Sequence, residues 1–343
     1  MSSQYHIPDL LKLVSDYAKP LNPNFDELDA GFQKWIDAAS FLSESHKKAW
    51  KHAELPLLIV RAFPDADTAH LRVCLESMMM FLILEQLTDT PATSQVSKKW
   101  AAEFVEAFQQ AEAPQAKREE GPSAVLQHLG AIIITAIDPP YRLSYIRSNI
   151  LLAEGIVQEA LDREQRDSMN PISLKTYLNT RRKSIGALPF HDLDRWICKL
   201  DLPDHVLKNP HIEQMVQAAV DMVALSNDIY SYRKEYLEDG AKHNYVTVAM
   251  HDPATGIRAG DIQAAIHYTV ETFKETLARY EENKKHALPA FREDPDLSSM
   301  VERYAELMMD SVAGNIEWSI ACKRYSLFPD EVAREAGLIT IPI

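Results

Sequence analysis

The stretch from Met215 to Glu235 constrains this chain more than any other. A largely apolar run, Met215 to Leu225, has the spacing of a buried helix and leads into Asn227-Asp-Ile-Tyr-Ser231-Tyr-Arg-Lys234-Glu235. Asn227, Ser231 and Glu235 stand at i, i+4 and i+8. At about 3.6 residues per turn they stack on one helix face, roughly 5–6 Å apart per step. An amide oxygen, a hydroxyl and a carboxylate in one column form a hard-oxygen set suited to Mg²⁺. Lys234, one residue away, could reach an anion held by such a metal. The same pattern arises where a helix simply passes from core to solvent, so three residues leave both readings open.

The rest of the chain also reads as helical. Of 343 residues only 10 are glycine, and 46% are hydrophobic, enough for a sizeable core. Leu, Ala, Glu, Met and Lys recur at helical spacing and strand-like alternation is scarce, which predicts an all-α protein. A net charge of -14 argues against nucleic acid as a partner, because phosphate contacts need clustered Lys and Arg. If the ligand is a phosphate ester, metal ions have to reverse the local field. Cys74, Cys198 and Cys322 are odd in number and far apart, so neither a disulfide framework nor a zinc pattern is expected, only reduced core thiols. The opening MSSQYHIPDLLKL lacks the basic and apolar regions of a signal peptide. No run of about 18 apolar residues suggests a membrane span. The expectation is a soluble cytoplasmic protein.

Residues 1–24, punctuated by Pro8, Pro20 and Pro23, read as irregular. A second informative helix is expected from Ala69, capped by Thr68, to about Asp89. It is apolar almost all round and should be central. Met78, Phe81, Glu85 and Asp89 share one of its faces. Carboxylates one turn apart at a helix end can share metals, though a helix end also frays into solvent. Acids there oppose the helix dipole by roughly 0.3–1 kcal/mol each, which argues for some other reason to keep them.

A third helix, capped by Ser173, carries Arg181-Arg182-Lys183-Ser184-Ile185-Gly186 and is expected to stop or bend at Gly186 and Pro189. Adjacent helical residues diverge by about 100°, so one arginine should point inward and the other to solvent. The inward one could sense an anion through its bidentate fork; a solvated basic patch is the other reading. The last two long helices are expected over 257–288 and 298–324. Trp318 precedes Tyr325 by seven residues, which would put both on one face of a continuous helix. Core packing is the ordinary role for such a tryptophan. Arg324 and Tyr325 read either as a surface pair or as groups closing over a bound anion.

Together these pieces resemble the class I terpene synthases, most closely the fungal and bacterial sesquiterpene cyclases. The resemblance runs over roughly residues 25–325. It rests on the acidic end of the Ala69 helix, on Arg-Arg-x-Ser-Ile-Gly lying 46 residues before Asn-Asp-x-x-Ser-x-x-x-Glu (counted from Arg181 to Asn227), and on Asn-x-x-Trp-Ser before a terminal Arg-Tyr. It implies a single α-helical barrel domain over 25–326 around an apolar pocket, with a tail at 327–343. It implies three Mg²⁺ ions holding a substrate diphosphate, with Glu85, Asp89, Asn227, Ser231 and Glu235 as metal ligands. Arg181, Lys234, Arg324 and Tyr325 would contact the diphosphate, and Ser184, Ile185 and Gly186 would form the segment that aids ionisation. Phe81 and Trp318 are candidate aromatic faces for a carbocation, with plain core packing as the other reading.

One departure stands out. The family pattern is Asp-Asp/Glu-x-x-Asp/Glu, whereas this chain has Glu85-Gln86-Leu-Thr-Asp89. A longer first carboxylate and an uncharged second position imply looser metal geometry. The function implied is Mg²⁺-dependent ionisation of a prenyl diphosphate, farnesyl diphosphate above all, to a sesquiterpene hydrocarbon or alcohol. An acyclic alcohol synthase of the linalool or nerolidol type and a silent prenyl-diphosphate binder are the alternatives. A chain-elongating prenyltransferase would want two Asp-rich motifs that are not present. The oligomeric state is left open, a homodimer included.

Overall fold

The computed structural model describes residues 2–88, 93–109, 121–167, 172–328 and 330–342. The chain opens with β1 (Ser2–His6) and a 3-10 segment, Leu11–Tyr17, before α1 (Phe25–Ala38) and α2 (Glu44–Ala53). Ser43 starts α2 by accepting the His46 amide at 3.2 Å. α3 (Leu55–Ala62) follows directly, with Pro56 in its first turn, where the missing N–H leaves nothing unsatisfied. α4 (Thr68–Thr88) is capped by Asp67, one residue before the expected Thr68: its Oδ1 accepts the His70 amide at 2.9 Å. Buried side chains run along α4 from Leu71 to Thr88, as a nearly all-round apolar helix requires.

α5 (Ser94–Gln109), α6 (Pro122–Ala136) and α7 (Pro139–Asp167) pack around it. Ser173 caps α8 (Leu174–Ser184), accepting the Thr176 amide at 3.2 Å. The chain then turns at Gly186, in the left-handed region with φ 81°, and starts α9 (Ala187–Ile197). Pro189 sits in the first turn of α9, so the expected stop at Pro189 does not occur. A short α10 (Asp204–Leu207) leads to the longest described helix, α11 (Pro210–Asp239). α12 (Tyr245–His251), α13 (Ile262–Ala287), α14 (Pro295–Ala321), α15 (Glu331–Ala336) and β2 (Leu338–Pro342) complete the chain.

Two elements differ from the sequence expectation. The first residues are a strand: β1 pairs antiparallel with β2, Tyr5 opposite Ile339. Tyr5, Ile339 and Ile341 are buried, and Arg233 on α11 donates to the Thr340 carbonyl at 2.9 Å. The partner strand lies at the other end of the sequence, so a local reading has no signal for it. Gly337 before β2 has φ 64°, and a Cβ there would stand 2.4 Å from the Ile7 carbonyl oxygen. Second, α14 ends at Ala321 because Cys322 is extended (φ -70°, ψ 149°). Arg324 and Tyr325 therefore sit on a turn beyond the helix.

The core is split. One cluster comes from α1–α7 and α9, and the other from α8 and α11–α14 with both chain ends. Leu57 and Met78 pack against both. The seam holds a cavity of about 620 Å³ lined from both clusters, among others by Trp50, Phe81, Phe190, Val223 and Trp318. A wider, more open depression of about 910 Å³ lies between α5, α7 and α8. Its lining is chiefly Ala, Val, Ile and amide or hydroxyl side chains around the Glu154–Lys183 ion pair. None of the residues given a candidate metal, diphosphate or carbocation role above lines it. Of the three cysteines, all free, Cys74 and Cys322 are buried and Cys198 is half-buried. Among the described residues no helix is long and apolar enough to cross a membrane.

Candidate active site

Helical geometry puts Asn227, Ser231 and Glu235 on the cavity wall formed by α11. Each is held by a neighbour. Asn227 accepts from Arg181 Nη2 at 2.9 Å and donates through Nδ2 to the Tyr325 hydroxyl at 3.0 Å. Asn244 Nδ2 lies 3.0 Å from Glu235 Oε2, 3.5 Å from Ser231 Oγ and 2.8 Å from the Asp228 carbonyl oxygen. The same Asn244 caps α12 by accepting the Val246 amide at 2.9 Å. The loop after α11 is thus folded back onto the polar column. Sequence spacing pointed to the column and missed Asn244, whose signal is only an Asn before a short helix.

Arg181 enters the cavity from α8 inside a buried network. Its Nε and Nη2 lie 3.1 and 3.0 Å from Asp228 Oδ1, and its Nη1 lies 3.5 Å from Glu159 Oε1. Asp228 also accepts from the Tyr177 hydroxyl at 2.6 Å and the Tyr245 amide at 3.0 Å. Glu159, on α7, accepts from the Ser184 hydroxyl and faces His243 Nε2 at 3.4 Å. Burial alone would raise the Glu159 carboxyl, but His243, Arg181 and Ser184 hold it well below the usual carboxylate range. Arg182 does turn the other way, yet not into solvent as expected. It forms a fork on the buried Asp221 at 2.6 and 3.0 Å, where Arg279 also binds at 2.7 Å. Asp221 sits on the far side of α11, a polar partner hidden in an apolar run.

Across the cavity, α4 brings Met78, Phe81 and Glu85 to the lining. Glu85 Oε2 lies 3.5 Å from Arg324 Nη2. Gln86, also a lining residue, is engaged by α2: its Oε1 accepts from Trp50 Nε1 at 3.0 Å, and its Nε2 meets His46 Nδ1 at 3.1 Å. Asp89 lies outside the described residues. Arg163 on α7, also a lining residue, donates to the Thr88 carbonyl at 3.0 Å. Sequence reasoning missed it.

Lys234, Arg324 and Tyr325 also reach the lining. Lys234 Nζ pairs with Glu238 at 2.5 Å. Burial, only partly opposed by Arg324, pushes the Tyr325 phenol upward, so it stays a donor. Tyr325 also packs edge-on against Trp318, centroids 5.4 Å apart, although the two are not on one helix. Trp318 Nε1 donates to the Ala53 carbonyl at 2.8 Å. Ile185 and Gly186 line the same space, and a Cβ at position 186 would come within 3.2 Å of the Phe81 ring. Its φ favours glycine there, and this approach leaves little room for a side chain.

The donors on α11 suit a hard divalent cation. Among the described residues no Lys or Arg ion-pairs with Glu235, and burial, then Asp228, raise its carboxyl. A cation at this face would relieve both effects. No cluster of three His, Cys, Asp or Glu able to hold a metal occurs among the described residues. A metal here must therefore draw on Asn227 and Ser231 as well as Glu235, with remaining sites filled by an anion or water.

The family model for terpene synthase family 2, C-terminal metal binding, matches residues 76–279. The chain is a terpene synthase of this family. A Delta(6)-protoilludene synthase of Armillaria gallica is 27% identical to it over 325 residues, covering 95% of this chain and 90% of that one. Sesquiterpene synthase 6 of Postia placenta is 27% identical over 322 residues, 93% of this chain and 90% of the relative. Among solved structures, an a-eudesmol synthase superposes with a TM-score of 0.74 at 18% identity, covering 88% of this chain and 96% of that one. The linalool/nerolidol synthase from Streptomyces clavuligerus, in complex with 2-fluorogeranyl diphosphate, gives 0.70 at 14% identity, covering 88% and 96%. These similarities place the all-α barrel of this terpene synthase within a shared fold, and the family model implies a divalent metal.

Proposed function

We propose that this enzyme ionises farnesyl diphosphate with Mg²⁺, releases pyrophosphate and yields a sesquiterpene hydrocarbon or alcohol. The observation that carries the reading is polarity divided within one cavity. One pole gathers Arg181, Lys234, Arg324 and Tyr325 around Asn227, Ser231 and Glu235, with Glu85 opposite. The rest is lined by residues such as Leu58, Met78, Phe81, Val223 and Trp318. Its volume of about 620 Å³ suits a small-molecule site. The names of the relatives above support a fifteen-carbon substrate.

Asn227, Ser231 and Glu235 would hold one Mg²⁺, and Glu85 would serve others of an expected three, together with Asp89. Bound there, Mg²⁺ supplies positive charge that neutralises the diphosphate as a leaving group. The allylic C–O bond then breaks heterolytically, with its electron pair going to the diphosphate oxygen. Arg181, Lys234 and Arg324 add charge-assisted hydrogen bonds to the departing group, and the Tyr325 phenol donates one more. Gly186 lets α8 and α9 meet closely against Phe81, so the reactive end of the chain is covered. The apolar wall keeps water away, and the Phe81 and Trp318 rings stabilise the cation by about 0.5–2 kcal/mol each when desolvated. Loss of a proton gives a hydrocarbon; capture of water gives an alcohol.

The test is incubation of purified protein with geranyl, farnesyl and geranylgeranyl diphosphate separately, with Mg²⁺ and with EDTA, read by gas chromatography–mass spectrometry. A Mg²⁺-dependent sesquiterpene from farnesyl diphosphate is expected. An acyclic alcohol as sole product would move the reading to early water capture. No product from any of the three would sink it.

A further inference from the structure

Four described residues other than glycine adopt positive φ: Glu54, Lys199, Ala241 and Ser326. Glu54 (φ 48°, ψ 46°) closes α2 and opens α3. Ser326 (φ 42°) ends the turn after α14. The left-handed region at a helix end ordinarily selects glycine or asparagine. A glutamate held there calls for something its side chain does.

Its carboxylate ties down the turn beyond α14. Glu54 Oε2 accepts the Lys323 amide at 2.8 Å, and Oε1 pairs with Lys323 Nζ at 3.1 Å. From the other side, Ser326 Oγ donates to the Lys323 carbonyl at 2.7 Å. Next to Glu54, the Ala53 carbonyl accepts from Trp318 Nε1 at 2.8 Å. Arg324 and Tyr325 lie between the two strained residues. From that turn Arg324 approaches Glu85 to 3.5 Å and Tyr325 meets Asn227 at 3.0 Å. One junction thus fixes a segment that touches both walls of the cavity.

We propose that Glu54 is a positioning residue, whose carboxylate clasps the 323–326 turn so that Arg324 and Tyr325 face the diphosphate pole. The idea rests on the function proposed above for what that pole binds, but the clasp is testable without turnover. Glu54→Gly keeps the backbone conformation at lower strain and removes the clasp, and Glu54→Gln keeps one acceptor oxygen without the charge. Amide hydrogen exchange over residues 322–327 is expected to rise about tenfold in Glu54→Gly and by less in Glu54→Gln, while the melting temperature of the glycine variant does not fall. In steady-state assays KM for farnesyl diphosphate should rise about tenfold in Glu54→Gly with a smaller change in kcat, and Glu54→Gln should restore part of it. Unchanged exchange in Glu54→Gly would overturn the clasp. Raised exchange with unaltered KM would overturn its role in positioning. If the wild-type enzyme consumes no prenyl diphosphate, the functional reading falls by itself and the exchange result alone decides the clasp.

Discussion

The two walls of the cavity solve one problem in opposite ways. On α11 every candidate ligand is tethered: Asn227 by Arg181 and Tyr325, and Ser231 and Glu235 by Asn244. On α4 the one described carboxylate at the cavity lining, Glu85, has a side chain 33% exposed and meets Arg324 only at 3.5 Å. Its neighbour Gln86, also on the lining, is engaged by Trp50 and His46. Preorganised donors lose little freedom when a ligand arrives, whereas a loose one has to be ordered at that moment. On the proposed function, the α11 wall would hold a metal in place and the α4 wall would be drawn in by it.

The comparison breaks most directly at Asn227. Asn227→Ala removes a candidate ligand and also releases Arg181 and Tyr325 from the column. A loss of about 10²–10³-fold in kcat/KM is expected, as for other deletions of a preorganised polar group. Pyrophosphate release under saturating Mg²⁺ measures it, and a loss below tenfold would mean that α11 does not lead. Glu85→Gln should act more through the metal than through the substrate. Half-saturation by Mg²⁺ is expected to rise about 10–100-fold, with kcat recovering at high Mg²⁺. A kcat that stays low at any Mg²⁺ concentration would make Glu85 as rigid a partner as Asn227.

Gln86→Leu sharpens the contrast within α4 itself. The change leaves the Trp50 Nε1–H and His46 without their partner, at a cost of about 1–2 kcal/mol. Thermal unfolding should register that loss while the Mg²⁺ dependence stays that of wild type. A shifted Mg²⁺ dependence would return Gln86 to the metal wall.

How much of this was legible follows from where the partners lie. Asn227, Ser231 and Glu235 were visible because one helix carries all three, and helical spacing is a local property. The same holds for Met78, Phe81 and Glu85. That one of Arg181 and Arg182 points inward was legible, and the family resemblance singled out Arg181, but its anchors were not legible: Glu159 lies 22 residues before it and Asp228 lies 47 after it. His243 and Asn244 come from a loop whose position depends on how α11 ends at Gly240 (φ 80°). The direction of Gln86 depends on Trp50 and His46, which pack from α2 across some forty residues of chain. β1 and β2 fail for the same reason at greater distance. Periodicity tells which residues share a face; it does not tell what the face meets.

Two buried carboxylates carry the comparison beyond the cavity. Glu159 is ringed by Arg181, Ser184 and His243 and is held low. Asp194 on α9 is more deeply buried still, and neither of its oxygens has a hydrogen-bond partner among the described residues. Burial, then the nearby Asp310, push its carboxyl well above the usual range. A folded pKa above the unfolded value of about 3.9 makes its contribution to stability full below that pH, and the contribution is lost as pH rises through the folded value. Asp194→Asn has no charge to desolvate. The variant should be more stable than wild type at neutral pH, and the gap should close as pH falls toward 4. Denaturant unfolding at several pH values checks this. A gap that is constant with pH would mean that the Asp194 carboxyl is solvated, and a gap that moves in favour of wild type as pH rises would mean that it is paired in the manner of Glu159.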